Sequence, residues 1–185
     1  MRRLALFVLL TATASAQPEA WSTLTPAAGV AVPLGDGFGA PWETGPGLSA
    51  RAEVPAYGGR LRGEVRVAAY DPSGDVDRVP PFALALPTVG WGPTVELGPV
   101  RLSAGPRVGV ALFRIDDPDA GRLQSETEIA VGGWAGAAVA LGRVEVWAQA
   151  DGTRLTLSDP VTLWAASGGL AVRLDTPAWL REVLR

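Results

Sequence analysis

The chain contains no cysteine and no histidine, and all sixteen of its basic residues are arginine. Without cysteine there is no disulfide framework, no thiolate nucleophile and no acceptor for a lipoprotein anchor. Without histidine or lysine there is no imidazole base and no Ser–Lys pair, which leaves carboxylates alone for acid–base chemistry. Long apolar runs are also missing after Leu10, although 48% of the residues are hydrophobic. A bundle of membrane-spanning helices is thereby excluded.

What is present begins with an export signal. Met1-Arg2-Arg3 precedes the apolar run Leu4 to Leu10 and small residues ending in Ala14-Ser15-Ala16, the pattern of a charged n-region, an h-region and an A-x-A cleavage site. The apolar run falls far short of the ~20 residues that span a bilayer. The expected organisation is a signal peptide over 1–16, one barrel domain over 17–175 and a short helical tail over 176–185. Cleavage removes two of the sixteen basic residues and leaves 14 against 19 acidic ones, a formal charge of −5. That balance points to no nucleic-acid partner.

The dominant pattern is alternation. Over residues 59–70, Leu61, Gly63, Val65, Val67 and Ala69 share one face, while Arg60, Arg62, Glu64 and Arg66 share the other, as side chains do in an extended strand. The same rule sets Leu48, Ala50, Ala52 and Val54 against Ser49, Arg51 and Glu53. It sets Val100, Leu102, Ala104, Val108, Val110 and Leu112 against Arg101, Ser103 and Arg107. Finally it sets Val144, Val146, Ala148 and Ala150 against Arg143, Glu145, Trp147, Gln149 and Asp151. The strands read as 26–34, 45–54, 59–70, 82–97, 100–114, 125–142, 143–152 and 161–174. Short turns at Pro55 to Gly58, Gly98-Pro99 and Gly142-Arg143 alternate with longer connections rich in Asp, Gly and Pro. Short turns at one rim and long loops at the other are what a transmembrane barrel shows. The fold class is therefore all-β, an eight-stranded antiparallel up-and-down (transmembrane) β-barrel, with both ends of the chain on the short-turn side.

Three details accompany this reading. The fourth and sixth strands are about twice a minimal spanning length of ~9–11 residues and are expected to project as a ribbon. Pro87, Pro93 and Pro106 remove ladder donors and predict bulges. After the last strand, Thr176 as N-cap and Pro177 at the first position predict a short C-terminal helix with Trp179, Leu180, Val183 and Leu184 on its apolar stripe.

Alternation does not say which face is inside. A lipocalin-like soluble barrel turns its apolar face inward and binds a small apolar ligand, and a membrane barrel inverts this. Two features favour the inverted arrangement. The apolar faces are built from Ala, Val and Leu with few core aromatics, and the charged faces nearly balance. An eight-stranded barrel has room inside only for side chains. The charged set Arg51, Glu53, Arg60, Arg62, Glu64, Arg66, Glu96, Arg101, Arg107, Glu126, Glu128 and Glu145, with Arg143, is thus expected to plug the lumen as an ion-pair network. Tyr70, Phe82, Phe113 and Trp164 near the long loops, and Trp21, Tyr57 and Trp179 near the short turns, are candidates for aromatic girdles.

The signal peptide, the eight segments and the opening Ala28-Gly29-Val30-Ala31-Val32-Pro33-Leu34-Gly35-Asp36-Gly37-Phe38-Gly39 resemble the small OmpA/OmpX-type outer-membrane barrels, in particular their uncharacterised outer membrane protein beta-barrel domains. The resemblance implies residence in the outer membrane, lipid around the outer face, and handling by the barrel-insertion machinery. It also implies loops offered to an unidentified extracellular or periplasmic protein partner. Two features depart from the family. The last strand closes at Val172-Arg173-Leu174 without the usual terminal aromatic, and no peptidoglycan-binding domain follows. Barrel enzymes on similar scaffolds lean on a histidine, so a non-enzymatic structural or interaction role is expected. Glu126 and Glu128 share a face as an acid–base couple would, but the neighbouring arginines favour ion pairing. The acidic stretches Asp71 to Asp77 and Asp116 to Asp119 lack the spacing of an EF-hand, and neither metal nor cofactor is expected.

Overall fold

A strand with one apolar and one charged face cannot bury both in a single open layer, and closing the sheet gives each face its own environment. The computed structural model describes residues 21–35, 37–39, 41–73, 79–117 and 122–183. The expected signal peptide and parts of both acidic stretches lie outside them. The elements are β1 (Thr23–Pro33), β2 (Trp42–Thr44), β3 (Gly47–Ala56), β4 (Gly59–Pro72), β5 (Phe82–Leu97), β6 (Val100–Asp117), β7 (Arg122–Leu141), β8 (Val144–Leu155), β9 (Val161–Val172), β10 (Leu174–Asp175) and α1 (Ala178–Val183). Eight of the strands pair in the order β1-β3-β4-β5-β6-β7-β8-β9, and β9 returns to β1, so the sheet closes into an antiparallel barrel. The seam runs from Ala27↔Ala171 to Pro33↔Ala165. Two short strands extend it, β2 on β4 at the long-loop end and β10 on β1 at the short-turn end.

The short turns follow from backbone chemistry. Tyr57 and Gly58 both have positive φ, at 51° and 73°, which matches a type I′ hairpin turn. Gly98 and Gly142 have positive φ at the first turn position, where glycine meets no Cβ penalty.

The prolines do not produce the expected bulges. β5 pairs with β6 from Phe82↔Ile115 to Leu97↔Val100 in one register, and the ladder merely skips 86–87 and 91–93. Pairing across Pro106 with β7 is continuous. Proline removes a donor without needing an extra residue, and glycines at 105 and 109 let the facing backbones approach closely. The projecting ribbon also differs from expectation. The fourth and sixth barrel strands are not neighbours; the long pairing is β6 with β7, from Val100↔Val139 to Asp117↔Arg122.

The tail forms α1, but Thr176 does not cap it. Its backbone N–H donates to Ser22 O at 3.1 Å, and its side chain is buried with the hydroxyl lacking a hydrogen-bond partner. The chain is docked against the start of β1 before the helix begins.

Candidate functional site: the barrel interior

Because the register is unbroken, residue parity decides direction all round the barrel. Val65 and Val67 are 44% and 45% exposed on the outer surface, with Leu48, Val89, Val131, Val146 and Leu170 also exposed. Arg51, Glu53, Arg62, Glu64, Arg66, Arg101, Arg107 and Glu145 are buried. The charged face is inside, so the lipocalin-like arrangement is not the one adopted.

Nearest the short turns, Arg101 clasps Glu145 with two bonds, Nη1 to Oε1 at 3.0 Å and Nη2 to Oε2 at 2.7 Å. Glu145 also accepts from Arg173 at the rim, at 2.7 Å. One level up, Glu53 is surrounded by four guanidiniums: Arg62 at 2.6 Å, Arg60 at 3.1 Å, Arg101 at 3.4 Å and Arg51 at 3.5 Å. Arg60 further donates to Thr25 Oγ1. Arg51 lies over the ring of Trp147 at 3.8 Å, and Arg62 over Trp134 at 4.5 Å, contacts that favour a cation. Trp134 packs on Gly90, where a Cβ would come within 2.5 Å of the ring.

Gln149 links the levels. Its Oε1 accepts from Arg51 Nη1 at 2.7 Å and from Arg62 Nη1 at 2.6 Å, while its Nε2 donates to Glu64 at 3.2 Å. Ser49 also donates to Glu64. Above them Asp151 accepts from Arg66 at 2.9 Å and from Arg107, which also meets Thr153.

The long-loop half of the interior is apolar. Tyr70, Phe82, Leu84, Leu86, Ala111, Phe113, Ala130, Leu155 and Leu163 form one buried cluster. Phe38 descends into it from the first loop, with its ring centroid 5.1 Å from Tyr70 and 5.2 Å from Phe82 in edge contacts. Tyr70 stacks on Phe82 at 4.6 Å. The expected girdle members Tyr70, Phe82 and Phe113 are therefore core residues. Without a bulge, their parity aims them inward. Among the described residues the exposed outer aromatics are Trp164 at the loop end and Tyr57, Trp91 and Trp179 at the turn end.

Of the sequence-derived set, the structure gathers Arg51, Glu53, Arg60, Arg62, Glu64, Arg66, Arg101, Arg107 and Glu145. It places Glu96 and Glu126 at exposed positions and Glu128 at a half-buried one beside Thr156. Arg143 is in an exposed turn. Among the described residues no ion pair ties these four to the buried network. Gln149, Asp151, Thr25 and Arg173 belong to the network and were absent from that set. The alternation of β8 already put Gln149 and Asp151 on the charged face. Glu126 and Glu128 lie toward the loop end of β7, the first exposed and the second half-buried, and Glu128 accepts from Thr156. Among the described residues no cluster of three or more acidic side chains is placed to hold a metal ion.

No protein-family model matches the chain, and no curated protein sequence does. Solved structures do. Neisserial surface protein A (NspA) aligns with a TM-score of 0.63 at 17% identity, over 84% of this chain and 99% of that one. Ail, the attachment invasion locus protein of Yersinia pestis, aligns with a TM-score of 0.57 at 14% identity, over 83% and 99%. Ail in complex with the heparin analogue sucrose octasulfate gives 0.52 at 13% identity, over 85% and 100%. With eight antiparallel strands closed β9 on β1 and matched along nearly the full length of these structures, the chain has the fold of the small OmpA/OmpX-type outer-membrane β-barrels.

Proposed function

We propose that this protein is an exported, non-enzymatic outer-membrane barrel whose side-chain-filled lumen makes it a structural or interaction protein, presenting its long loops to the exterior. The observation that carries the reading is the inversion of the barrel. Its outer surface exposes Val, Leu and Ala, while ionised side chains fill the turn-end half of the interior. Water offers no reason for that arrangement, since it leaves apolar area wet and desolvates charges. A bilayer does. Tyr57, Trp91 and Trp179 at one end and Trp164 at the other suit the two membrane interfaces. The absence of His, Cys and Lys supports a non-catalytic role. Ail, solved in complex with a heparin analogue, offers a precedent for a barrel of this fold that binds an external ligand.

The test is cellular fractionation with carbonate washing, followed by gel migration with and without heating. Residence in the washed outer-membrane fraction and heat-modifiable migration are expected. A freely soluble monomer that needs no detergent would refute the reading. For the filled lumen, steady ion conductance in planar bilayers is the contrary result.

A further inference from the structure

The buried charge of the interior does not balance. Among the described residues five arginines (Arg51, Arg62, Arg66, Arg101 and Arg107) and four carboxylates (Glu53, Glu64, Glu145 and Asp151) are buried. Arg60, with its side chain 11% exposed, joins the arginines. Six against four leaves two positive charges in excess. At the solvent rim Arg173 and Glu96 add one charge of each sign.

The excess is local. At the upper polar level Arg66 and Arg107 meet Glu64 and Asp151. At the lower level Arg51, Arg60, Arg62 and Arg101 form their ion pairs with Glu53 and Glu145, Glu145 is shared with Arg173, and Glu64 reaches this level through Gln149. Arginine does not shed its proton to relieve such a surplus, and an uncompensated buried ion is costly. The protein relieves part of it through the faces of Trp147 and Trp134. Arg51 and Arg62 also converge on Gln149 Oε1, a neutral acceptor where a carboxylate would neutralise charge. The Nε–H groups of both arginines are buried without a hydrogen bond, that of Arg51 lying 3.5 Å from Glu53 Oε1 in an ion pair. Beside them lies a partly enclosed space of about 10 Å³, lined by Arg51, Arg62, Arg101, Glu53 and Ser103 together with small residues. That is room for one water-sized species.

We propose that this space is a binding site for a single monatomic anion of the halide class, held by the guanidiniums of Arg51, Arg62 and Arg101 with the Ser103 hydroxyl as a further donor. Three cations against one carboxylate select an anion over a cation, and the volume excludes sulfate or phosphate. The site depends on the closed interior and not on membrane residence, so its test is separate from the fractionation above.

The purified chain in detergent micelles is unfolded by heat in sodium gluconate, and gluconate is replaced stepwise by chloride or bromide at constant ionic strength. Saturable stabilisation is expected, with the unfolding equilibrium constant falling about tenfold at ten times the dissociation constant. Ser103→Asp supplies a tethered negative charge and is expected to abolish the halide response. Equal melting in gluconate and halide overturns the proposal, as does a halide response that Ser103→Asp leaves unchanged. Should that variant not fold, bromide-soaked crystals of the unaltered chain decide. An anomalous peak among Arg51, Arg62 and Arg101 supports the site, and density there without anomalous signal, hence water, overturns it.

Discussion

At the scale of single residues, Glu53 concentrates the electrostatics of the interior. Its carboxylate lies within 3.5 Å of four guanidiniums and is almost fully buried. Removing one member of a buried ionic set leaves its partners uncompensated, which costs about 3–5 kcal/mol. Glu53→Gln should therefore lower the stability measured by urea unfolding in detergent by that amount, whereas Glu96→Gln should stay within about 0.5 kcal/mol. Equal effects from the two would remove the distinction between network and rim. The contrast shows how far alternation reaches. Glu96, Glu126 and Glu128 share the inward parity of their strands, as the sequence indicates, but parity carries no information about height along the barrel axis. Gln149 is hidden for a different reason. Its amide is neutral and leaves no mark in the pattern of charges, yet only a group with both acceptor and donors joins Arg51 and Arg62 to Glu64.

At the scale of elements, turns and prolines behaved differently. Gly142 has a positive φ of 70°, and a Cβ added there would meet only open space, so Gly142→Ala adds backbone strain alone. A loss of about 1–2 kcal/mol is expected, measured as a shift in unfolding midpoint with unchanged spectra; no shift would mean that the turn can relax. Strand limits and short turns were legible because both follow from local chemistry. The continuity of β5 and β6 through Pro87, Pro93 and Pro106 was not, since whether a missing donor forces a bulge depends on the facing strand. The same continuity puts Tyr70, Phe82 and Phe113 inside. Phe82 contacts Phe38, Trp42, Tyr70 and Phe113, so Phe82→Ala should cost about 3–5 kcal/mol. A membrane-girdle role would give a much smaller loss in detergent, and the same unfolding measurement separates the two.

At the scale of the whole molecule, the barrel divides its interior by height, ionic toward the turns and aromatic toward the loops. The outer wall is uniformly apolar along the middle of the strands. Val65 lies mid-strand in β4 and faces outward. For a wall immersed in lipid, Val65→Arg should destabilise folding into phospholipid vesicles by about 2–4 kcal/mol. A neutral effect there would mean that this wall meets water.

The sequence by itself determined the β class, the strand count, the positions of the tight turns and the two faces of each strand, because a period of two and turn chemistry act over a few residues. Only the tertiary structure decided which carboxylate meets which arginine, since the polar network joins β3, β4, β6 and β8 across as many as 98 positions. It also decided the imbalance of charge around Glu53. That quantity does not belong to any strand, because it arises only when closure brings several of them around one small space.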